Sequence, residues 1–149
     1  MIGVIALART AFPVAVHLFL LKNNTVLLLR RFNTGYEDGN YSVIAGHIDG
    51  GEDVFNSMIR EAKEEAGIYI LRNNLKIVQV MHRKKADEER IDYFFACDIW
   101  NGTAEIMESD KCDELIWVDM NKLPDNTIDY IQAAIGNYKA GISFSIFGW

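Results

Sequence analysis

At 149 residues, half of them hydrophobic, the chain is long enough to bury a sizeable core and fits one domain spanning 1–149. A formal net charge of −6 at pH 7 argues against an extended nucleic-acid partner, which needs a basic surface. No stretch reaches the roughly 18 uninterrupted apolar residues of a membrane span, and two cysteines, Cys97 and Cys112, are too few for a disulfide framework.

The opening MIGVIALARTAFPVAVHLFLLK is apolar but has no basic region at its start, Arg9 coming only after apolar residues, so no signal peptide is expected and the cytoplasm is the default location. Val14 to Leu21 reads as a buried strand, Asn23-Asn24 as a turn, and Val26 to Leu29 as the hairpin partner, ending in Arg30-Arg31. Strand side chains alternate between faces, so one arginine can face a cleft while the other faces water. Arg31 is the candidate for phosphate binding, against the blander reading of a solvated side chain. Asn33 to Asn40, NTGYEDGN, is a loop by composition that leads into a short strand, Tyr41 to Ala45, with Tyr36 and Tyr41 as candidates for a substrate mouth or, equally, for packing.

Next comes GHIDGGEDVFNSMIREAKEEAGI, from Gly46 to Ile68, a glycine-rich turn feeding a helix. Glu61, Glu64 and Glu65, at i, i+3 and i+4, share one helix face, and like charges at that spacing cost an isolated helix a few tenths of a kcal/mol per pair. A hard divalent cation converts that cost into binding, because Mg²⁺ prefers carboxylate oxygens and is commonly shared with substrate phosphates. Phe55, Ile59, Ala62 and Ala66 form the expected apolar face, with Asn56 and Lys63 outward, so the carboxylates are expected beside the core and not in it. Arg60 is placed to pair with Glu64 and with Glu52. Gly50 and Gly51 permit a tight turn that presents backbone carbonyls, including that of Gly46, and Gly67 ends the helix.

Three glutamates on a helix are usually a solvated face, but the full spacing is more specific. Gly46, Glu52, Arg60, Glu61, Glu64, Glu65 and Gly67, with Ala62 and Ile68, match every defined position of the Nudix box. Seven fixed identities coincide by chance on the order of once in a billion starts. The chain therefore resembles the Nudix hydrolases, and the box covers residues 46–68. The resemblance implies an α/β/α sandwich around a mixed β-sheet, a need for Mg²⁺ or Mn²⁺, and hydrolysis of a nucleoside diphosphate linked to another moiety. Carried over by position, Glu61, Glu64 and Glu65 are metal ligands with the Gly46 carbonyl nearby, Arg60 and Glu52 orient them, and one carboxylate also activates water.

Beyond the box, Leu75 to His82 and Ile91 to Ile99 read as strands joined by a charged tip, RKKADEER, expected to be solvated, with Arg83, Lys84 and Lys85 meeting a polyphosphate tail as the alternative. His17, His47 and His82 have no mutual metal-ligand spacing and read as packing or surface residues. A short strand is expected around Leu115 to Val118 and a turn at Leu123-Pro124. Some MutT-like Nudix enzymes place a further metal-binding or base carboxylate ahead of a similar tryptophan strand. Glu108 and Trp117 resemble that arrangement, with Trp117 a candidate for substrate binding, against the reading of Glu108 as a surface glutamate. Asn126 to Tyr138 is an amphipathic helix burying Ile128, Ile131, Ala134 and Ile135. The aromatic tail ISFSIFGW, residues 142–149, is expected to pack, with docking near the substrate as an alternative.

The mechanism so implied is metal-assisted substitution at phosphorus, in which Glu65 or Glu61, aided by Glu108, takes the proton of an attacking water. The ADP-ribose branch of the family usually carries a proline some fifteen residues past the box, whereas this chain has only Pro13 and Pro124. That points to a MutT-like (d)NTP or modified-(d)NTP pyrophosphohydrolase releasing a nucleoside monophosphate and pyrophosphate. Dinucleoside polyphosphates, nucleotide sugars and capped RNA are alternatives, as is a binding module without catalysis. The partner expected is a small nucleotide, with no membrane, and the assembly a monomer or homodimer.

Overall fold

A computed structural model describes residues 8–149; the reading of residues 1–7 as a leaderless start lies outside them. Strand β1 (Val14–Lys22) is apolar nearly throughout because both its faces are covered. It runs parallel to β6 (Glu88–Cys97) on one side and antiparallel to β4 (Ile44–His47) on the other, so that Val16 lies opposite both Tyr93 and Gly46. Its hairpin partner β2 (Thr25–Arg31) meets it only at Leu21–Val26 and Lys22–Thr25, across a turn where Asn23 adopts a φ of 57°. From there β2 diverges to pair with β3 (Tyr41–Ser42) and β7 (Cys112–Asp119). β5 (Lys76–Lys85) is antiparallel to β6, and β8 (Phe144–Phe147) adds parallel to β5 at the end of the sheet.

The strand period of two sorts the core into two layers. Val16, Leu18 and Leu20 pack with Met58, Ala62 and Ala66 of helix α1 (Val54–Ala66). The alternate residue Phe19 packs with Ile131, Ala134 and Ile135 of helix α2 (Asp129–Ala140) on the opposite face. The result is the expected α/β/α sandwich around a mixed sheet. Both helices end on a left-handed glycine, Gly67 and Gly141, and α1 begins at Asp53, whose carboxylate accepts the Asn56 N–H at 2.9 Å.

Three sequence expectations need correction. The buried line of α1 is centred on Met58, Ala62 and Ala66, all fully buried, while Phe55 and Ile59 are only partly covered. That rotation carries Glu61, 9% exposed, into the interface that the sequence pattern had kept clear of charge. The charged tip is mostly ladder: β5 and β6 run on until only Ala86 and Asp87 are left as the turn, with Lys84 facing Glu89 and Lys85 facing Glu88 across the strands. Helix α2 starts at Asp129, not Asn126, because Asn126 C=O and Ile128 N–H are already bonded to the backbone of Tyr41. The tail forms β8, and none of its residues lines the cleft described below. No helix among the described residues is long and apolar enough to cross a membrane.

The corrected helix face is testable. Met58→Ala should destabilise the fold by about 2–5 kcal/mol, as deletion of a buried methionine side chain does, and Ile59→Ala by clearly less. Chemical denaturation reads both, and an equal or greater loss at Ile59 contradicts this packing.

Candidate active site

One cleft of about 620 Å³ opens where β2 and β4 part, a volume typical of small-molecule sites. α1 supplies Glu61, Glu64 and Glu65 to one wall, β4 supplies Ala45 and Gly46, and the segment before β7 supplies Glu108, Asp110 and Lys111. The opposite wall and floor carry Arg31, Tyr36, His17, Arg83, Arg90 and Tyr130.

Arg60 holds the box together. Its guanidinium donates to Glu52 at 2.7 and 3.1 Å, to Glu61 Oε1 at 2.8 Å, to Glu64 Oε2 at 3.2 Å and to the His47 carbonyl at 3.2 Å. The turn before α1, the end of β4 and the helix face are thus tied to one cation. That pairing holds the Glu52 carboxyl down to about 2. Glu61 goes the other way, because its burial outweighs the pull of Arg60.

Glu65 is the most perturbed carboxylate. Protein surrounds its carboxyl group on nearly all sides although part of the residue stays accessible, and burial pushes its pKa up from 4.5 to about 8. The Ala45 N–H, donating to Oε2 at 3.1 Å, opposes the rise, while the charges of Glu61 and Glu108 add to it. Gly46 makes this crowding possible, since a Cβ on it would fall within the Glu61 carboxylate.

No three such side chains among the described residues close around one point. Glu61 and Glu64 each give one oxygen to Arg60 and Glu65 gives one to Ala45, so each has its other oxygen without a hydrogen bond among the described residues. Hard oxygens on one side of a cleft fit a hard divalent cation that completes its shell with water and phosphate, not one enclosed by protein alone.

Arg31, which lines the same cleft, donates through Nε to the Tyr36 carbonyl at 2.7 Å and through Nη2 to Thr34 Oγ1 at 3.0 Å. It has no carboxylate partner among the described residues, whereas its neighbour Arg30 is engaged by Asp113 at 2.7 Å and Glu114 at 3.0 Å. Asp38 organises the loop beneath, accepting from the backbone of Thr34 and Gly35, and Tyr36 lies under both Arg31 and Lys85. Glu108 reaches the cleft, with Lys111 Nζ at 3.2 Å.

Two candidates are placed elsewhere. Tyr41 is buried beside α2 with its hydroxyl on Glu114 at 2.8 Å. Trp117 stacks on Trp100, with ring centroids 5.8 Å apart, because β7 lies on the outer side of β2, away from the cleft. The residues missed were Asp92 and Tyr130 of the floor, and Arg83, read as solvated with contact to a polyphosphate tail as the alternative, is 5% exposed and lines the cleft. Asp92 carried the signal: a charge inside the apolar strand IDYFFAC requires a buried partner.

The profile of the NUDIX domain matches residues 11–135. An ADP-ribose pyrophosphatase of Methanocaldococcus jannaschii is 29% identical over 117 residues, covering 78% of this chain and 68% of that protein. An uncharacterized Nudix hydrolase of Bacillus subtilis, YvcI, is 33% identical over 107 residues, covering 70% of this chain and 64% of its own length. The crystal structure of a MutT NUDIX hydrolase from Burkholderia pseudomallei superposes with a TM-score of 0.78 at 22% identity, over 85% of this chain and 98% of that one. With the box intact and the cleft behind it, the chain belongs to the Nudix hydrolase family, whose members work with divalent metal ions on small nucleotide substrates.

Glu65 also makes a prediction for the metal-free protein. A carboxyl group whose folded pKa lies above its unfolded value favours the protonated native state, so stability is lost as pH rises from about 4.5 to about 8. In EDTA, Glu65→Gln should remove that slope and raise the melting temperature at pH 8.5, by roughly 2–4 °C for each kcal/mol of relief. Parallel melting curves across pH 5–8.5 would contradict the assignment.

Proposed function

We propose that this enzyme is a metal-dependent pyrophosphohydrolase that cleaves a nucleoside diphosphate linked to another moiety, with a (d)NTP or modified (d)NTP as first substrate and a nucleoside monophosphate and pyrophosphate as products. The observation that carries this reading is the shared cleft, lined by the box carboxylates, by Gly46 and by Arg31, which has no carboxylate partner among the described residues. Glu61, Glu64 and Glu65, with Gly46, would hold Mg²⁺ or Mn²⁺, and Glu108 would add a further oxygen. When bound, the ion neutralises phosphate charge and acidifies water.

The residues of the chain do the rest. Arg31 binds phosphate oxygens, and Arg60, backed by Glu52, fixes the rotamers of Glu61 and Glu64. Glu65, held by the Ala45 N–H in an enclosed position, takes the proton of the attacking water as its oxygen bonds to phosphorus. The bond from phosphorus to the bridging oxygen then breaks and pyrophosphate leaves. The buried free thiols Cys97 and Cys112 suit a reducing cytoplasm. The named relative from Methanocaldococcus jannaschii favours ADP-ribose as a second substrate reading.

The test is turnover with Mg²⁺ across (d)NTPs, ADP-ribose, nucleotide sugars and dinucleoside polyphosphates, scored by released phosphate products. At least one class should be cleaved, EDTA should abolish the reaction, and Glu61→Gln should lower kcat by about 100-fold or more with folding retained. No turnover of any class would overturn the proposal.

A further inference from the structure

The floor of the cleft is a polar network drawn from three strands and a helix. Arg83 of β5 donates through Nε to Asp92 Oδ2 at 2.6 Å and through Nη2 to Oδ1 at 3.4 Å, and Asp92 is completely buried. The guanidinium lies over the Tyr130 ring with Cζ 3.6 Å from its centroid. The Tyr130 hydroxyl is 3.0 Å from His17 Nε2, and His17 in turn stacks on Phe94. Burial lowers the His17 pKa to about 4, so this ring is neutral at ordinary pH.

One group is left over. Arg83 lines the cleft, and its Nη1 makes no hydrogen bond among the described residues. Nor is it one of the fully enclosed polar atoms without a partner, which are His17 Nδ1, Ser57 Oγ and His82 Nε2. A guanidinium 5% exposed, clamped by its carboxylate and its aromatic platform, thus presents a spare donor from a fixed position.

Charge decides what such a donor selects. Arg83 and Asp92 together are neutral, Arg90 beside them is paired with Glu88 at 3.3 Å, and Tyr130 and His17 add no charge, so the floor lacks the excess positive charge that would favour a further anion. The cation that lines the cleft with no carboxylate partner among the described residues is Arg31, held only by the Tyr36 carbonyl and the Thr34 hydroxyl. We propose that Arg83 is a specificity-determining residue whose Nη1 donates to an uncharged oxygen acceptor, a base carbonyl or a sugar hydroxyl, on the nucleoside end of the substrate. This rests on the pyrophosphohydrolase reading only in placing the phosphates at the carboxylate wall. A site that holds a donor for such an oxygen discriminates against an analogue lacking it, because the donor is then desolvated without a partner.

The experiment measures equilibrium binding of ADP, IDP, dADP and dIDP to the whole protein in Mg²⁺, with turnover of the matching triphosphates alongside. Inosine against adenosine reports the base carbonyl, and ribose against deoxyribose the hydroxyl. Arg83→Lys keeps a cation for Asp92 but removes the planar fork that holds a donor at the Nη1 position. The double change Arg83→Gln with Asp92→Asn keeps the floor neutral, should the single variant fold poorly. The wild type should prefer the acceptor-bearing member of one pair by about tenfold to a hundredfold, and the variants should lose that preference while still binding the other member normally. Equal weakening of all four nucleotides, an unchanged preference, or no binding of any of them overturns the assignment. Binding preference without turnover would instead count against the hydrolase reading and leave this one standing.

Discussion

A carboxylate enclosed by protein with no cation in contact is the constraint on which this site turns. Glu65 sits on the flank of a helix that must also bury Met58 and Ala62, and among the described residues its only hydrogen-bonding support is a single backbone N–H from β4. Ionising it there is unfavourable, and Glu61 and Glu108 make it more so. The fold accommodates this because the neighbouring Arg60 absorbs the charge of Glu52, Glu61 and Glu64 at once. On the proposed reading, a divalent ion arriving with phosphates would meet a group already held in place, at a position where its charge is needed most.

The rest of the cleft distributes charge in a way that separates binding tasks. Arg30 and Arg83 are each engaged by carboxylates, while Arg31, held only by neutral oxygens, keeps its charge available to the space opposite the glutamates. Burial separates them further: Arg30 is half-exposed, whereas the pair of Arg83 and Asp92 is among the most enclosed polar groups in the molecule. A surface pair of the first kind contributes little to stability, but losing one partner of the second leaves an uncompensated buried charge.

How legible this was in the sequence depended on the range of the interactions. The box could be read because its parts are local: helix spacing alone puts Arg60 beside Glu64 and the glutamates on one side. The face of α1 was harder, since Phe55 and Ile59 are as apolar as Met58, and only the docking of the helix on β1 and β4 decides which line goes down. Arg83 was hidden because its burial depends on strand register, which sets it near Asp92 on the floor instead of at a solvated tip. Tyr41 and Trp117 were misplaced for a related reason: type and position suggested substrate contact, but neither lines the cleft, Trp117 packing on Trp100 and the Tyr41 hydroxyl being taken by Glu114.

The fork in β1 gives Gly46 a second significance. β4 is only four residues long, and its pairing sets Gly46 opposite Val16 directly beneath the Glu61 carboxylate. A slip of one residue would reverse every side chain of so short a strand and bring Ala45 or His47 to that spot. Either would thrust a side chain into the volume the carboxylate fills. Glu61 therefore acts as a steric gauge for the sheet, admitting one alignment of β4 and with it one spacing between the two walls of the cleft.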